Sequence, residues 1–383
     1  MEQNIYPLES DYRQFTHKHK WQIFPEMETL KEKAKEKKLW NLFLPKTYGA
    51  FSPGLTNLEY APLAEIMGRV LWSSQVFNCS APDTGNMEVL CKYGSDAQKD
   101  KWLLPLLNGQ TRSAFLMTEP QVASSDARNI ECRIKKDGDS YLVNGHKWWS
   151  TGALNPNTSF FIVMGKTDPA ADSFRQQSML IVPKNTEGVK ILRPLQLYGY
   201  MDSPEGHAEI LLDNVRVPLD NIILNEGAGF EIAQGRLGPG RIHHCMRLIG
   251  TAQRAFEMMC KRVNSREAFG KKISSFSGVK QDIADLKCKI EQARLLTLAA
   301  ADKIDKQGVK KAKDLISMIK IVVPNMACKV IDQSIQMHGG QGVSQDTPLA
   351  EFWSYARALR IADGPDEVHR HQLGRNILNA FKQ

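Results

Sequence analysis

The chain lacks the features of a membrane-spanning or secreted protein. It contains no uninterrupted run of about 18 apolar residues, the length that a spanning helix needs. The N-terminus, Met1-Glu2-Gln3-Asn4, has no apolar signal-peptide region, and the C-terminus, Ala380-Phe381-Lys382-Gln383, is not a peroxisomal address. With 383 residues and 42% hydrophobic content, we expect a soluble globular protein with a large core.

Cysteine pairs and metal-binding spacings are also missing. The seven cysteines are odd in number, scattered, and nowhere spaced as Cys-x-x-Cys. A disulfide framework and a zinc site are therefore not expected, and a reducing compartment is the simpler inference. The histidines at 243, 244, 369 and 371 lack His-Glu-x-x-His spacing, so we expect them to be solvated or core residues, and we predict no metal.

Positive charge is present, with a formal net charge of +8 at pH 7. The densest cluster, residues 31–38, mixes five lysines with two glutamates at helical spacing. This pattern favours a solvated helix face, and no aromatic residues alternate with the lysines, so we do not expect nucleic-acid binding. A basic scaffold protein that binds anionic lipid or nucleic acid remains the non-enzymatic alternative. Polyphosphate cofactors would also suit a basic surface.

The hydrophobic period changes twice along the chain. Helical patterns fill residues 1–114, with Thr56 and Ser95 as predicted N-caps, and period-two patterns follow in residues 115–225. Residues 226–383 return to four long helical stretches, each long enough for one rod of a four-helix bundle. We predict an α+β protein with an N-terminal helical domain, a central small β-barrel or sandwich, and a C-terminal four-helix bundle.

The stretch from Phe115 to Gly152 predicts two extended runs that could form a platform for a flat ligand. Asn144-Gly145 between Tyr141-Leu142-Val143 and His146-Lys147-Trp148 predicts a hairpin turn, since both turn residues tolerate positive φ. The hairpin would return Trp149 and Thr151 towards the strand that carries Thr118. Adjacent tryptophans suit a site that stacks a large π-system, although either indole could instead belong to the core.

Three motifs in this stretch resemble the flavin-binding signature of the acyl-CoA dehydrogenase family. They are Thr118-Glu119-Pro120, Ser125-Asp126, and Asn144-Gly145-His146-Lys147 followed by Trp149-Ser150-Thr151. The sequence departs from the family at residues 121–124, which replace a Gly-rich loop and add one residue, and at Ser150, which replaces isoleucine. The resemblance implies FAD as cofactor. In this stretch it implies contacts from Phe115, Met117, Thr118, Ser124, Ser125, Trp149, Ser150 and Thr151.

The resemblance also implies a catalytic base in the C-terminal stretch. Removing hydrogens from C2 and C3 of an acyl thioester needs a base for the C2 proton and a hydride acceptor that no side chain can provide. The segment Ala362-Asp363-Gly364-Pro365 resembles the family motif in which glutamate is the base, and Asp363 stands at that position. An Asp-Gly-Pro turn that caps a helix is the structural alternative. The backbone N–H of Asp363 could hold the thioester carbonyl.

Further motifs imply the remaining contacts. Arg266 and Phe269 resemble an arginine and phenylalanine that meet FAD, and residues 336–342 resemble a Gly-rich loop that approaches the FAD pyrophosphate of a neighbouring subunit. These imply a homo-oligomer, dimer or tetramer, with a shared site. The implied cofactor contacts here are Arg266, Phe269, Gln336, Gly339, Gly340, Gln341, Pro365 and Glu367. The implied substrate contacts are Ser125, Gly238, Arg241, Asp363 and Gly364, although the acid of the family's acid-x-x-Arg motif is replaced by Gly238.

Segments 338–342 and 362–365 most resemble one branch of the family. That branch implies α,β-dehydrogenation of long-chain acyl-CoA, with 4-hydroxylated chains as an additional class, and a mitochondrial or peroxisomal location. Its members carry a separate kinase-like domain upstream. Electron-transfer flavoprotein is the expected acceptor. A flavin oxidase of the same fold, acting on acyl-CoA or on nitroalkanes, remains an alternative, because nitroalkane oxidases of this superfamily use an aspartate base.

Overall fold

The computed structural model describes residues 1–382, apart from the side chains of Leu237 and Pro239. The chain forms two compact units. The sheet unit comprises Pro7–Gly54 and Gln75–Leu237, and the helical unit comprises Met1–Tyr6, Leu55–Ser74 and Gly238–Gln383. The predicted domain limits at 114/115 and 225/226 stay a prediction, because these units combine segments that are far apart in the sequence.

The sheet unit begins with short helices that precede the strands. Ser95 caps the predicted helix through a capping box with Gln98, and this helix continues as a π-helical turn over Lys99–Leu103. On the second helix, Lys31 and Lys35 form ion pairs with Glu28 and Glu32. The helices are α1 (Glu9–Lys18), α2 (Met27–Glu36), α4 (Asp83–Tyr93), α5 (Asp96–Gln98) and α6 (Leu104–Leu107).

One seven-stranded sheet forms the centre of this unit. Its strand order is β1-β4-β2-β3-β7-β6, and β5 pairs with β4. Most pairs are antiparallel, but β4 runs parallel to β1 and β2. The strands are β1 (Arg112–Leu116), β2 (Arg133–Asp137), β3 (Ser140–Thr151), β4 (Thr158–Lys166), β5 (Gln177–Pro183), β6 (Val189–Leu195) and β7 (His207–Pro218). Strands β4 and β5 are buried along nearly their whole length, so they provide the core of the sheet.

The predicted hairpin turn at Asn144-Gly145 is wrong. Strand β3 continues through both residues, and the chain reverses earlier, between Asp137 and Ser140. Asn144 pairs with β2, Gly145 pairs with β7, and the register shifts between Val143 and Gly145. A Cβ at residue 145 would lie 2.6 Å from the side chain of Cys132, so glycine is needed for close packing rather than for a turn.

The helical unit contains α3 (Asn57–Met67), most of α7 (Gly229–Ser265), α8 (Ser277–Gln307), α9 (Val309–His338), α10 (Leu349–Ala358) and α11 (Asp366–Ala380). Thr56 caps α3 through a capping box with Glu59, as predicted. A two-stranded ribbon, β8 (Glu267–Ala268) and β9 (Lys271–Lys272), links α7 to α8. In the described part of the chain, residues 1–382, no helix is both long and apolar enough to cross a membrane.

The predicted fourth rod, Pro348 to Phe381, is two helices rather than one. Asp363 and Gly364 have φ values of +56° and +100°, in the left-handed region, and Pro365 precedes α11. A right-handed helix cannot continue through residues in this conformation. The predicted order of helices, sheet and helices is otherwise confirmed.

Candidate active site

In the sheet unit, the end of β3 lies beside the segment that follows β1. The Trp148 N–H donates to the Thr118 carbonyl oxygen at 3.0 Å, so the predicted approach of these segments occurs despite the wrong hairpin. Phe115, Met117 and Thr118 are each half-buried at this edge. The structure therefore brings the first and last parts of the predicted flavin-binding motifs together within one unit.

A buried ion pair holds these segments in place. Lys147 is fully buried and donates from Nζ to Glu119 Oε1 at 2.7 Å, and to the Met117 and Met164 carbonyl oxygens at 3.0 and 2.7 Å. Glu119, only 3% exposed, also accepts the backbone N–H groups of residues 131 and 132. Every hydrogen of the ammonium group thus has an acceptor, which offsets the penalty for burying the charge.

A bulge in β3 presents the second tryptophan to solvent. The register with β7 shifts between Lys147 and Ser150, and Trp149 has a φ of +52° and 37% exposure. Within residues 1–382, the buried atoms Trp148 Nε1 and Ser150 Oγ have no hydrogen-bond partner. Thr151 Oγ1 lies 2.9 Å from His207 Nδ1. The bulge therefore combines an exposed aromatic face with polar groups that a ligand could satisfy.

The remaining predicted residues of the sheet unit have different roles. Ser124 Oγ accepts the Glu119 N–H at 2.9 Å and so fixes the loop, whereas Ser125 is exposed. Arg236 belongs to none of the sequence motifs, yet its guanidinium lies 4.1 Å from the centroid of the Phe115 ring. A cation over an aromatic face is attracted by the ring's negative charge, so Arg236 restricts the orientation of Phe115.

In the helical unit, three basic residues hold the turn between α10 and α11 by its backbone. Lys320 Nζ, on α9, donates to the Leu359 and Ala362 carbonyl oxygens, both at 2.7 Å. Arg241 Nε, on α7, donates to the Asp363 carbonyl oxygen at 3.1 Å, and His369 Nε2 lies 3.3 Å from the same oxygen. Asp363 is therefore placed by contacts to main-chain atoms.

Burial changes the protonation of this basic cluster. Desolvation, reinforced by Arg241 and Lys320, lowers the pKa of His369 to about 4, so its ring is neutral at pH 7 and donates from Nε2. Desolvation also lowers the pKa of Lys320 and of Arg241, while the charge of Asp363 acts in the opposite direction on both. Burial therefore disfavours the charged form of all three groups in this cluster.

The Asp363 side chain is left accessible by this arrangement. It is 23% exposed, and Oδ2 lies 3.4 Å from Nε2 of His244, which is 19% exposed. The left-handed φ of +56° suits aspartate, which adopts this region far more often than most residues. Gly364 is required on two grounds, since its φ is +100° and an added Cβ would lie 2.8 Å from His369 Nε2.

The other predicted residues around the turn differ in accessibility. Pro365 is half-buried and caps α11, and Glu367 is exposed in the first turn of that helix. Gly238 is buried on α7, where an added Cβ would lie 2.5 Å from Val309. Gly238 thus acts as a packing residue on the helix that carries Arg241, and the structure brings Arg241, Asp363 and Gly364 together.

A second group of predicted residues lies on the surface of the helical unit. Phe269 is 97% exposed at the tip of the β8–β9 ribbon, and Arg266 is also exposed. Gln336 and residues 339–341 are exposed at the end of α9. Among the described residues, an added Cβ at Gly339 or Gly340 meets no atom within 4 Å, although the φ of +64° at Gly339 favours glycine. Crowding within the chain therefore does not explain these glycines.

Two residues at the turn were missed or misassigned from the sequence. Lys320 was not predicted as a site residue. Its position within the apolar, buried stripe of α9 is the sequence feature that could have indicated it. His244 was expected to be solvated or a core residue, but it contacts Asp363. The expectation holds for His243, which packs edge-on against Tyr60 in the core.

Comparison with known proteins identifies the family. Residues 2–110, 114–215 and 227–378 match the N-terminal, middle and C-terminal domain models of acyl-CoA dehydrogenase. The chain belongs to the acyl-CoA dehydrogenase family. Membership implies an oxidoreductase with FAD as its cofactor, as predicted.

The comparisons also bear out the predicted branch. The chain is 55% identical over 377 residues to acyl-CoA dehydrogenase family member 10 of Mus musculus, covering 97% of this chain and 35% of the relative. It is 53% identical over 382 residues to family member 11 of Gallus gallus, covering 98% and 48%. A solved structure of a family protein from Mycobacterium abscessus is 49% identical, covers 100% and 96% of the two chains, and has a TM-score of 0.97. The chain spans about half, or less, of the length of these two curated relatives.

The residues of the sheet unit fit an isoalloxazine-containing cofactor. The exposed indole of Trp149 offers a stacking surface, and the unsatisfied Trp148 Nε1 and Ser150 Oγ offer a donor and a hydroxyl. Phe115 and Thr118 lie at the same edge of the sheet. These residues are the ones that would hold FAD in this unit.

Proposed function

We propose that the chain is an FAD-dependent acyl-CoA dehydrogenase that converts acyl-CoA to trans-2-enoyl-CoA in fatty acid β-oxidation. The observation that carries this proposal is the arrangement at Asp363. Its backbone oxygen is held by Arg241 and His369, whereas its carboxylate remains accessible beside His244. A carboxylate fixed by its main chain and open at its side chain suits proton abstraction.

The residues of the turn divide the chemistry as follows. The Asp363 carboxylate accepts the C2 proton, and the C2–H electron pair becomes the second bond between C2 and C3. Binding of an acyl chain removes water from the carboxylate, which favours its neutral, protonated form. The Asp363 N–H would polarise the thioester carbonyl, and Arg241 and Gly364 would contact the substrate. FAD, when bound, supplies the acceptor for the hydride that leaves C3.

The substrate class proposed is long-chain acyl-CoA, with 4-hydroxylated chains as an additional class. The support is the similarity of residues 338–342 and 362–365 to family members 10 and 11. Electron-transfer flavoprotein is the proposed acceptor of the electrons, and the mitochondrion or peroxisome is the proposed location. Both proposals follow from the family resemblance.

We also propose a homo-oligomer, dimer or tetramer, in which subunits share the FAD site. Phe269 supports this, because a phenylalanine that is 97% exposed at the tip of a ribbon would bury apolar area if another subunit covered it. The open space around Gly339 and Gly340 leaves their backbone accessible to a group from another subunit. Sedimentation velocity of the FAD-loaded protein and of Phe269→Ser tests this, since a smaller assembly and weaker FAD retention are expected for the variant.

The proposed activity is tested by anaerobic bleaching of the flavin absorbance. The purified yellow protein would be mixed with acyl-CoAs of four to eighteen carbons, with and without a 4-hydroxyl group, and free CoA would serve as the non-reactive control. Bleaching with release of 2-enoyl-CoA supports the proposal. Reduction by nitroethane but by no acyl-CoA would replace it with nitroalkane oxidation, and rapid peroxide formation after air is admitted would assign an oxidase.

A further inference from the structure

His244 lies between a hydrogen-bond donor, the Arg247 guanidinium, and a hydrogen-bond acceptor, the Asp363 carboxylate. Its Nε2 lies 3.4 Å from Asp363 Oδ2, and its Nδ1 lies 3.2 Å from an Arg247 guanidinium nitrogen. His244 and Arg247 both lie on α7, three residues apart, whereas Asp363 lies in the turn before α11. The contact therefore joins α7 to the proposed catalytic turn within the helical unit.

These two contacts determine where the imidazole proton resides. A guanidinium group has only donors, so Nδ1 must present its lone pair to Arg247. The single proton of the neutral ring is then on Nε2 and points at the Asp363 carboxylate. A second proton on Nδ1 would remove the bond from Arg247 and add a positive charge beside it. His244 is therefore held as a neutral donor to Asp363.

The groups around this contact are mostly basic or neutral. Arg241 and Arg247 face it from α7, Lys320 from α9, and His369 from α11, together with Cys245 on α7 and Asp366 at the start of α11. The neutral His369 ring donates to the backbone of Asp363 and not to its side chain. Of these contacts, the one from His244 reaches an oxygen of the carboxylate itself.

We propose that His244 is a positioning residue for the base. It holds Asp363 Oδ2 by a hydrogen bond and so orients the carboxylate that accepts the C2 proton. Aspartate is one methylene shorter than the glutamate that it replaces, and orientation of the carboxylate matters more when its reach is small. This inference rests on the proposed dehydrogenase activity. A 3.4 Å separation is long for a hydrogen bond, but such bonds commonly shorten once substrate is bound.

The test compares His244→Gln with His244→Met, which have side chains of nearly equal length. Glutamine can donate to Asp363 and accept from Arg247, whereas methionine cannot donate. Anaerobic single-turnover bleaching by acyl-CoA would be measured across pH, with FAD content and thermal midpoint as checks. His244→Ala provides a second variant without a donor, and His371→Met, at an exposed histidine of α11, is the matched control.

We expect His244→Met and His244→Ala to bleach about 10- to 100-fold more slowly, the effect of losing a hydrogen bond to a charged group. The acid limb of their pH–rate profile should move to higher pH by about one unit. His244→Gln should keep most of the rate and an unshifted acid limb. A purely structural role would slow all three variants without moving the limb, and that result would overturn the proposal. Wild-type bleaching rates and an unshifted acid limb in His244→Met and His244→Ala would also overturn the proposal. A wild-type protein that no acyl-CoA bleaches would instead reject the proposed function itself.

Discussion

The sheet unit and the helical unit place the charged groups of their candidate site residues in opposite ways. In the sheet unit, the Lys147 ammonium meets the Glu119 carboxylate directly, and both side chains are almost completely buried. In the helical unit, Lys320, Arg241 and His369 donate to backbone oxygens of the turn, so the Asp363 carboxylate stays 23% exposed. A carboxylate whose partner is a buried cation is structural. A carboxylate whose backbone is held instead is available for reaction.

The largest effect is expected at the accessible carboxylate. Asp363→Asn should slow flavin bleaching by about 10⁴-fold, because the amide cannot accept the C2 proton. Asparagine also tolerates a φ of +56°, so the turn, the FAD content and the thermal midpoint should not change. Stopped-flow absorbance under anaerobic conditions measures the rate. Near-normal bleaching would show that Asp363 is not the base. The distinction between a reactive Asp363 and a structural Glu119 would then fail.

Glu88, on α4 in the sheet unit, is a buried acid that no lysine contacts by a hydrogen bond among the described residues. It is 2% exposed, neither of its oxygens has a hydrogen-bond partner among the described residues, and burial raises its pKa to about 8 while Arg236 and Lys92 oppose the rise. Because the folded pKa exceeds the unfolded value of 4.5, folding stability should fall as pH rises from about 4.5 to 8.

That shift corresponds to about 5 kcal/mol of unfolding free energy. Glu88→Gln should remove this loss, so the variant should gain stability relative to wild type at pH 8 but not at pH 5. Urea unfolding at the two pH values measures the difference. A constant difference between variant and wild type across this range would show that Glu88 is solvated or paired in the folded protein.

The structural nature of the Glu119–Lys147 pair is tested by removing one partner. Lys147→Met should destabilise the protein by about 4 kcal/mol, since it leaves a carboxylate buried without its cation. Adding Glu119→Gln to this variant should recover part of the loss. Urea unfolding at pH 7 provides the measurement.

The matched control is Lys190→Met, which breaks the exposed Lys190–Asp213 pair of the same sheet. Its effect should stay below about 1 kcal/mol. Equal effects at the two lysines would contradict the distinction between buried and exposed pairs.

The smallest effect is expected from the neutral histidine of the turn. The pKa of His369 falls from 6.5 to about 4 on folding, mainly because the ring is buried. The unfolded chain therefore binds the proton more readily, and about 3 kcal/mol of stability should be lost as pH falls from 6.5 to 4. His369→Gln should flatten this part of the stability profile. An unchanged slope would place its origin in other groups.

The chemistry of the sheet unit was largely predictable from the sequence, because its motifs are contiguous. Thr118, Trp149 and Thr151 belong to short patterns, and the structure brings their segments to one sheet edge. The turn at Asn144-Gly145 was mispredicted because a local turn signal competes with pairing to β7 and with the packing of Cys132, which is distant in the sequence.

The surroundings of Asp363 could not be read from the sequence. Its partners come from α7, α9 and α11, and no local pattern shows that a lysine in one helix meets carbonyl groups at the end of another. The break between α10 and α11 was more accessible, since Asp-Gly-Pro is a known turn signal. Helical periodicity continues on both sides of this turn and therefore favours a single rod, although the backbone cannot stay helical through it.

The two hydrogen bonds of Lys320 limit how the turn between α10 and α11 can change in length. One ammonium group holds the oxygens of residues 359 and 362, so the number of residues between these two anchors is fixed by the reach of one side chain. An insertion or deletion there would move Asp363 out of register with Arg241 and His369. Length variation among natural or designed descendants of this chain should therefore accumulate elsewhere, in exposed connections such as residues 168–175.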